Sequence, residues 1–182
     1  MHRTPFAEAS ASTLVVGSSC GGGCPTAVAT LTMFGIGIYN SKYPVNLGTL
    51  WRSALLFGAD FVFTVGEKYR RQSSDTIGAF DGLIYYHYID YPSLILSCAG
   101  LQIVSVELSP HATSLQSFSH PADCVYILGS EASGIPNGIL KQSHHVIQID
   151  MTAQGCLNVA TAGSIVMYDR LAKQIRNSSS FS

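Results

Sequence analysis

The sequence predicts an α/β fold, a mostly parallel sheet flanked by helices, and three observations predict it. From Met33 onward, short apolar runs alternate with segments of helical period. Several of the runs are apolar at every position rather than every second one, as in strands covered on both faces. Two runs near the end of the chain lead straight into Gly- or Asn-bearing turns and then helical patterns, in LGSEASGIP (128–136) and IDMTAQGCLNVATAG (149–163).

Taken in order, Phe34–Tyr39 reads as the first strand. Asn46–Phe57 reads as a helix, with Leu47, Leu50, Ala54 and Phe57 at helical spacing and Asn46, after Pro44, as its N-cap. Asp60–Val65 and Leu83–His87 are the next strands, and Pro92–Cys98 is a helix with Pro92 in its first turn. Gln102–Glu107 and Cys124–Leu128 are strands, Pro136–Lys141 a short helix and Val146–Ile149 the last strand. Leu157–Gln174 forms the last and longest helix, with small residues Ala160, Ala162, Gly163 and Ser164 giving it a flat side suited to close packing, including against a second subunit. Residues 33–176 form one domain. The Ser/Ala/Gly-rich segment 1–32 is a leader, read either as a start assigned too early or as an organellar transit segment, and 177–182 is a polar tail.

Composition narrows the function. With 47% hydrophobic and 12% charged residues in 182, the chain suits a compact core and a surface partly hidden in an oligomer. Ten Lys+Arg against eleven Asp+Glu give a net charge of −1, so any nucleic-acid contact rests on a local patch, for which Lys68-Tyr69-Arg70-Arg71 is the candidate. Five cysteines at irregular spacing, with no secretory segment ahead of them, point to reduced thiols and a cytoplasmic location, or an organellar one if the leader is a transit segment. Cys20-Gly-Gly-Gly-Cys24 has no second Cys/His pair to complete a metal site, so no metal is expected. No apolar run reaches the ~18 residues of a membrane span.

Three segments carry the chemistry. Gly129 follows its strand directly, where a missing side chain permits positive φ or close approach, and Glu131 is an acid held at that strand end. Asn158 stands at the start of the last helix, placed to cap backbone donors or to bond Glu131 or a substrate hydroxyl. Arg52, on an otherwise apolar helix, either snorkels to solvent or offers its planar fork to a phosphate or carboxylate.

Together PVNLGTLWRSA (44–54), LGSEASGIP and IDMTAQGCLNVATAGSIVMYDRL (149–171) resemble, in order and spacing, the three motifs of the SpoU branch of the SPOUT methyltransferases, over about residues 34–175. The resemblance implies S-adenosylmethionine-dependent methylation of an RNA ribose 2′-hydroxyl, on transfer RNA in the first place, with ribosomal RNA the alternative. It implies a homodimer with the active site near the subunit interface. It also implies a C-terminal deep trefoil knot, an exception to the general avoidance of knots. The cofactor pocket would comprise Val106, Gly129, Ile149, Cys156 and Leu157, and the functional polar residues would be Asn46, Arg52, Glu131 and Asn158. The family's proposal makes Arg52 the general base; because arginine stays protonated, phosphate clamp and orienter is its assigned role, with proton acceptance left open. Two departures stand out: Cys156 replaces the usual Ser, and Asp150 a frequent Pro. A catalytically silent RNA- or ligand-binding member of the same fold is the competing reading. The four functional polar residues, all present, argue against it.

Overall fold

The computed structural model describes residues 32–69 and 82–179. Residues 1–31 of the leader, with Cys20 and Cys24, lie outside the described residues, as do Arg70 and Arg71 of the basic patch and the end of the tail, 180–182. Among the described residues seven strands form one sheet: β1 (Phe34–Tyr39), β2 (Phe61–Val65), β3 (Ile84–Tyr88), β4 (Gln102–Val106), β5 (Thr113–Ser114), β6 (Cys124–Leu128) and β7 (His145–Gln148). Their order is β3-β2-β1-β6-β4-β7-β5, and every pairing is parallel. The described helices are α1 (Pro44–Leu56), α2 (Tyr91–Ser97), α3 (Asn137–Leu140) and α4 (Val159–Ser179).

The period-2 geometry of strands sorts the core into two layers. Phe34, Ile36 and Ile38 of β1 with Cys124, Tyr126 and Leu128 of β6 pack against Leu47, Leu50 and Trp51 of α1 and Val166 and Met167 of α4. On the other face Phe61 and Phe63 of β2 with Val125 and Ile127 of β6 meet Leu94 of α2 and Ile139 of α3. Gly35 and Gly37 leave room on this face: a Cβ at either would fall 2.2–2.4 Å from the Phe61 or Phe63 rings. Both faces are thus dry, which is why the strands read as continuous apolar runs.

Two expectations need correction. Helix α1 begins at Pro44, not Asn46, and its N-cap is Tyr43 without a side-chain cap bond. Proline's fixed φ and missing N–H suit the first helical turn, so the start moves upstream and Asn46 becomes an interior, buried position. The small-residue side of α4 packs closely, as expected of it, on α1 of the same chain: Gly163 lies against Leu50, and Ser164 donates to Ser53 Oγ at 2.8 Å. Helix α4 also continues through Asn177 to Ser179, into the segment read as a polar tail. Arg176 in its last turn suits the negative end of the helix dipole.

Candidate active site

The strand order reverses between β1 and β6, and ligands in such sheets bind beyond the carboxyl ends of the strands at that point. A cavity of about 700 Å³ opens beside that point, on the β6 side of it, beyond the ends of β4, β6 and β7, within the ~300–1,000 Å³ range of small-molecule sites. Val106, Gly129, Ile149, Cys156 and Leu157 all line it, with Glu131 and Asn158.

The turn after β6 is built to let backbone line the cavity. Gly134 has φ 61°, the left-handed region that glycine occupies without strain. A Cβ at Gly129 would lie 2.6 Å from the Gly134 carbonyl carbon, so two stretches of main chain touch where a side chain would separate them. Ser130 O accepts from Gly134 N–H at 2.9 Å and closes the loop that carries Glu131.

Asn46, buried near the start of α1, donates its Nδ2 to Glu131 Oε1. Its Oδ1 accepts from Asn158 Nδ2 at 3.0 Å. Asn158 in turn caps α4, its Oδ1 accepting from the N–H groups of Ala160 at 2.9 Å and Thr161 at 3.3 Å. Lys42 N–H donates to Glu131 Oε2 at 3.4 Å. One chain of bonds therefore joins the ends of β1 and β6 to the N-terminus of α4. The contact between Glu131 and Asn158 runs through Asn46 rather than directly.

Arg52 is not brought to this cluster. It lies exposed on α1, in line with exposed Val45, Thr49 and Leu56, away from the cavity lining, and makes no hydrogen bond or ion pair among the described residues. Asp150 accepts from Ser114 Oγ, which ties the loop after β7 to β5. Cys156 is an exposed free thiol at the cavity, whereas Cys98 and Cys124 are buried, and burial pushes the Cys98 thiol up to about 11. Glu107, which sequence reasoning passed over, lines the cavity, and its Oε2 accepts from Ile135 N–H at 2.7 Å.

The donor set tests what the cavity suits. Glu107 and Glu131 are its acidic residues, and no Lys, Arg or His lines it among the described residues. Such a lining disfavours a nucleoside polyphosphate, whose charge needs Lys/Arg or a metal. It favours a ligand that is neutral or cationic at the cavity wall, as S-adenosylmethionine with its sulfonium is. The SpoU rRNA Methylase family model matches residues 33–168, the whole span of this architecture up to the middle of α4.

The chain belongs to the SpoU rRNA methylase family.

Solved structures similar to it share the fold. The AdoMet-bound rRNA methyltransferase from Sinorhizobium meliloti is 22% identical, with a TM-score of 0.68 over 78% of this chain and 56% of that one. The A. aeolicus TrmH/SpoU tRNA modifying enzyme is 21% identical, with a TM-score of 0.71 over 81% and 78%. A structure solved to explain 2-OH methylation of C/U34 on tRNA is 18% identical, with a TM-score of 0.68 over 80% and 98%. The chain spans 56% of the Sinorhizobium protein and 61% of the SpoU methyltransferase AviRb from Streptomyces viridochromogenes. A comparison with curated proteins finds no match.

Proposed function

We propose that the chain methylates a ribose 2′-hydroxyl of RNA with S-adenosylmethionine as donor, acting on transfer RNA rather than ribosomal RNA. The observation that carries this reading is the backbone-lined, carboxylate-bearing cavity with the Glu131–Asn46–Asn158 chain at its rim, in a chain of this family. Coverage supports the transfer RNA preference: the chain spans 98% and 78% of the two tRNA-related structures and 56% of the Sinorhizobium rRNA methyltransferase. The trefoil knot belongs to the same reading, supported by a cavity assembled from the ends of β4, β6 and β7. Three unpaired cysteines among the described residues support a reducing, cytoplasmic setting. No described helix is long and apolar enough to cross a membrane.

Val106, Gly129, Ile149, Cys156 and Leu157 would hold the cofactor, which supplies a methyl group activated by a sulfonium centre. Asn46 holds Glu131 on one side and Asn158 on the other, so the three side chains keep one orientation. Glu131 stays exposed, and its carboxylate has lone pairs beyond those used by Asn46 and Lys42, free to accept a hydroxyl hydrogen bond. Arg52 grips a backbone phosphate and orients the sugar. Since it lies away from its own cavity, it would act at the cavity of a second copy, which makes the homodimer part of the proposal. Exposed Val45 and Leu56 beside it offer apolar surface for that contact.

The test is Arg52→Ala. Calorimetric affinity for S-adenosylmethionine stays within about twofold, while methyl transfer to RNA falls by about 10²-fold or more, as when a charge-stabilising donor is removed. Equal loss of donor affinity would contradict the assignment.

A further inference from the structure

We propose that Glu107 is a positioning residue for the reaction, clamping the 129–135 loop from the end of β4 so that Glu131 meets Asn46; this rests on the methyl-transfer reading above. Its Oε2 accepts from Ile135 N–H at 2.7 Å and its Oε1 from Leu108 N–H at 3.0 Å. The carboxylate sits between two glycines: a Cβ at Gly134 would fall 2.5 Å from Oε2, and one at Gly129 would fall 2.7 Å from it. No other residue type at 129 or 134 would leave that seat open.

The loop it grips is a small closed unit. Ser130 O accepts from Gly134 N–H at 2.9 Å, and the Ser130 and Ser133 hydroxyls bond at 2.9 Å. Glu131 stands inside that unit and has little hold on the core of its own, being exposed. Its place is set by what fixes the loop's far end, and Glu107 does so at Ile135. From there the bonds run through Glu131 and Asn46 to Asn158 and the first turn of α4. A carboxylate is required because both neighbours are N–H donors. A glutamine of the same shape would present its amide N–H₂ to one of them.

The test uses the full chain with selectively labelled asparagine, and the Asn46 side-chain amide signal is the reporter. In the wild type the proton bonded to Glu131 is displaced and slow to exchange. Glu131→Ala removes that displacement directly, and Glu107→Gln removes it too, without touching either partner. In RNA methylation, Glu107→Gln lowers kcat about 10- to 100-fold with the KM for donor changed less, the signature of a misplaced group rather than a lost binding contact. Glu107→Asp keeps the charge but shortens the reach, and behaves like Glu107→Gln. An Asn46 signal unchanged in Glu107→Gln or Glu107→Asp overturns the proposal, as does a raised KM at constant kcat or an undisplaced signal in the wild type. Should no RNA be methylated at all, the reading of function fails, and the amide signal still decides the role of Glu107.

Discussion

Replacing Asn158 by alanine removes two things at once, and the structure assigns a magnitude to each. Its Oδ1 caps α4 through Ala160 and Thr161, and deleting such a cap costs about 1 kcal/mol. Its Nδ2 is the donor to Asn46 Oδ1, on a residue only 7% exposed, and leaving that buried acceptor bare adds about 1–3 kcal/mol. Asn158→Ala should therefore destabilise the fold by about 2–4 kcal/mol, a fall in Tm of roughly 5–15 °C for a domain of this size. Asn158→Ser separates the two, since serine caps as well as asparagine but cannot reach Asn46, so it should be the milder by about 1 kcal/mol. The assay is urea unfolding followed by the fluorescence of Trp51, the chain's single tryptophan, buried and packed on Tyr85 at 5.3 Å. An Asn46→Ala/Asn158→Ala cycle should show coupling of about 1 kcal/mol. Additive effects, or an Asn158→Ala midpoint indistinguishable from wild type, would refute the amide-to-amide bond and the network built on it.

The Cys156 thiol is exposed at the cavity, so maleimide should modify it in a Cys20→Ser/Cys24→Ser background, and saturating S-adenosylmethionine should slow that modification at least tenfold; mass spectrometry reads the site. Buried Cys98, its thiol raised to about 11, should stay unmodified under the same conditions. Burial holds the His120 imidazole below its usual 6.5, outweighing the hydrogen bond to Asp169 that favours the charged form; nearby Lys173 and Arg170 lower it further. With the folded value depressed, the unfolded chain binds the proton more readily, so stability is lost as pH falls below about 6.5 toward the folded value. The urea midpoint should thus drop between pH 7.5 and 5.5, and drop less in His120→Gln; equal slopes in the two proteins would contradict this.

The sheet was legible because both of its faces are dry: Ile36, Ile38, Val125 and Ile127 belong to runs with no polar alternation to mislead. Strand β5 was not, since Thr113–Ser114 is two polar residues defined only by pairing with β7. The start of α1 was missed because Pro44 was read as preceding the helix rather than opening it. At the site, the motifs named residues that, Arg52 apart, the fold gathers at one cavity, but sequence spacing said nothing of how they connect. That Asn46 bridges Glu131 and Asn158 depends on contacts 85 and 112 residues apart. Glu107 escaped notice for a similar reason: its partner is a backbone N–H 28 residues away, and backbone donors leave no mark in a sequence. The separation of Arg52 from the cavity is likewise a property of the assembled fold, set by which side of α1 faces the sheet.

The most direct test of the central claim is to incubate the full chain with methyl-labelled S-adenosylmethionine and total transfer RNA, then digest the product with alkali. Alkaline cleavage of RNA requires a free 2′-hydroxyl, so the account predicts label in alkali-resistant dinucleotides and none with Arg52→Ala. Label recovered in ordinary mononucleotides, which marks a methylated base, would contradict it, and so would absence of label from a protein that binds the donor.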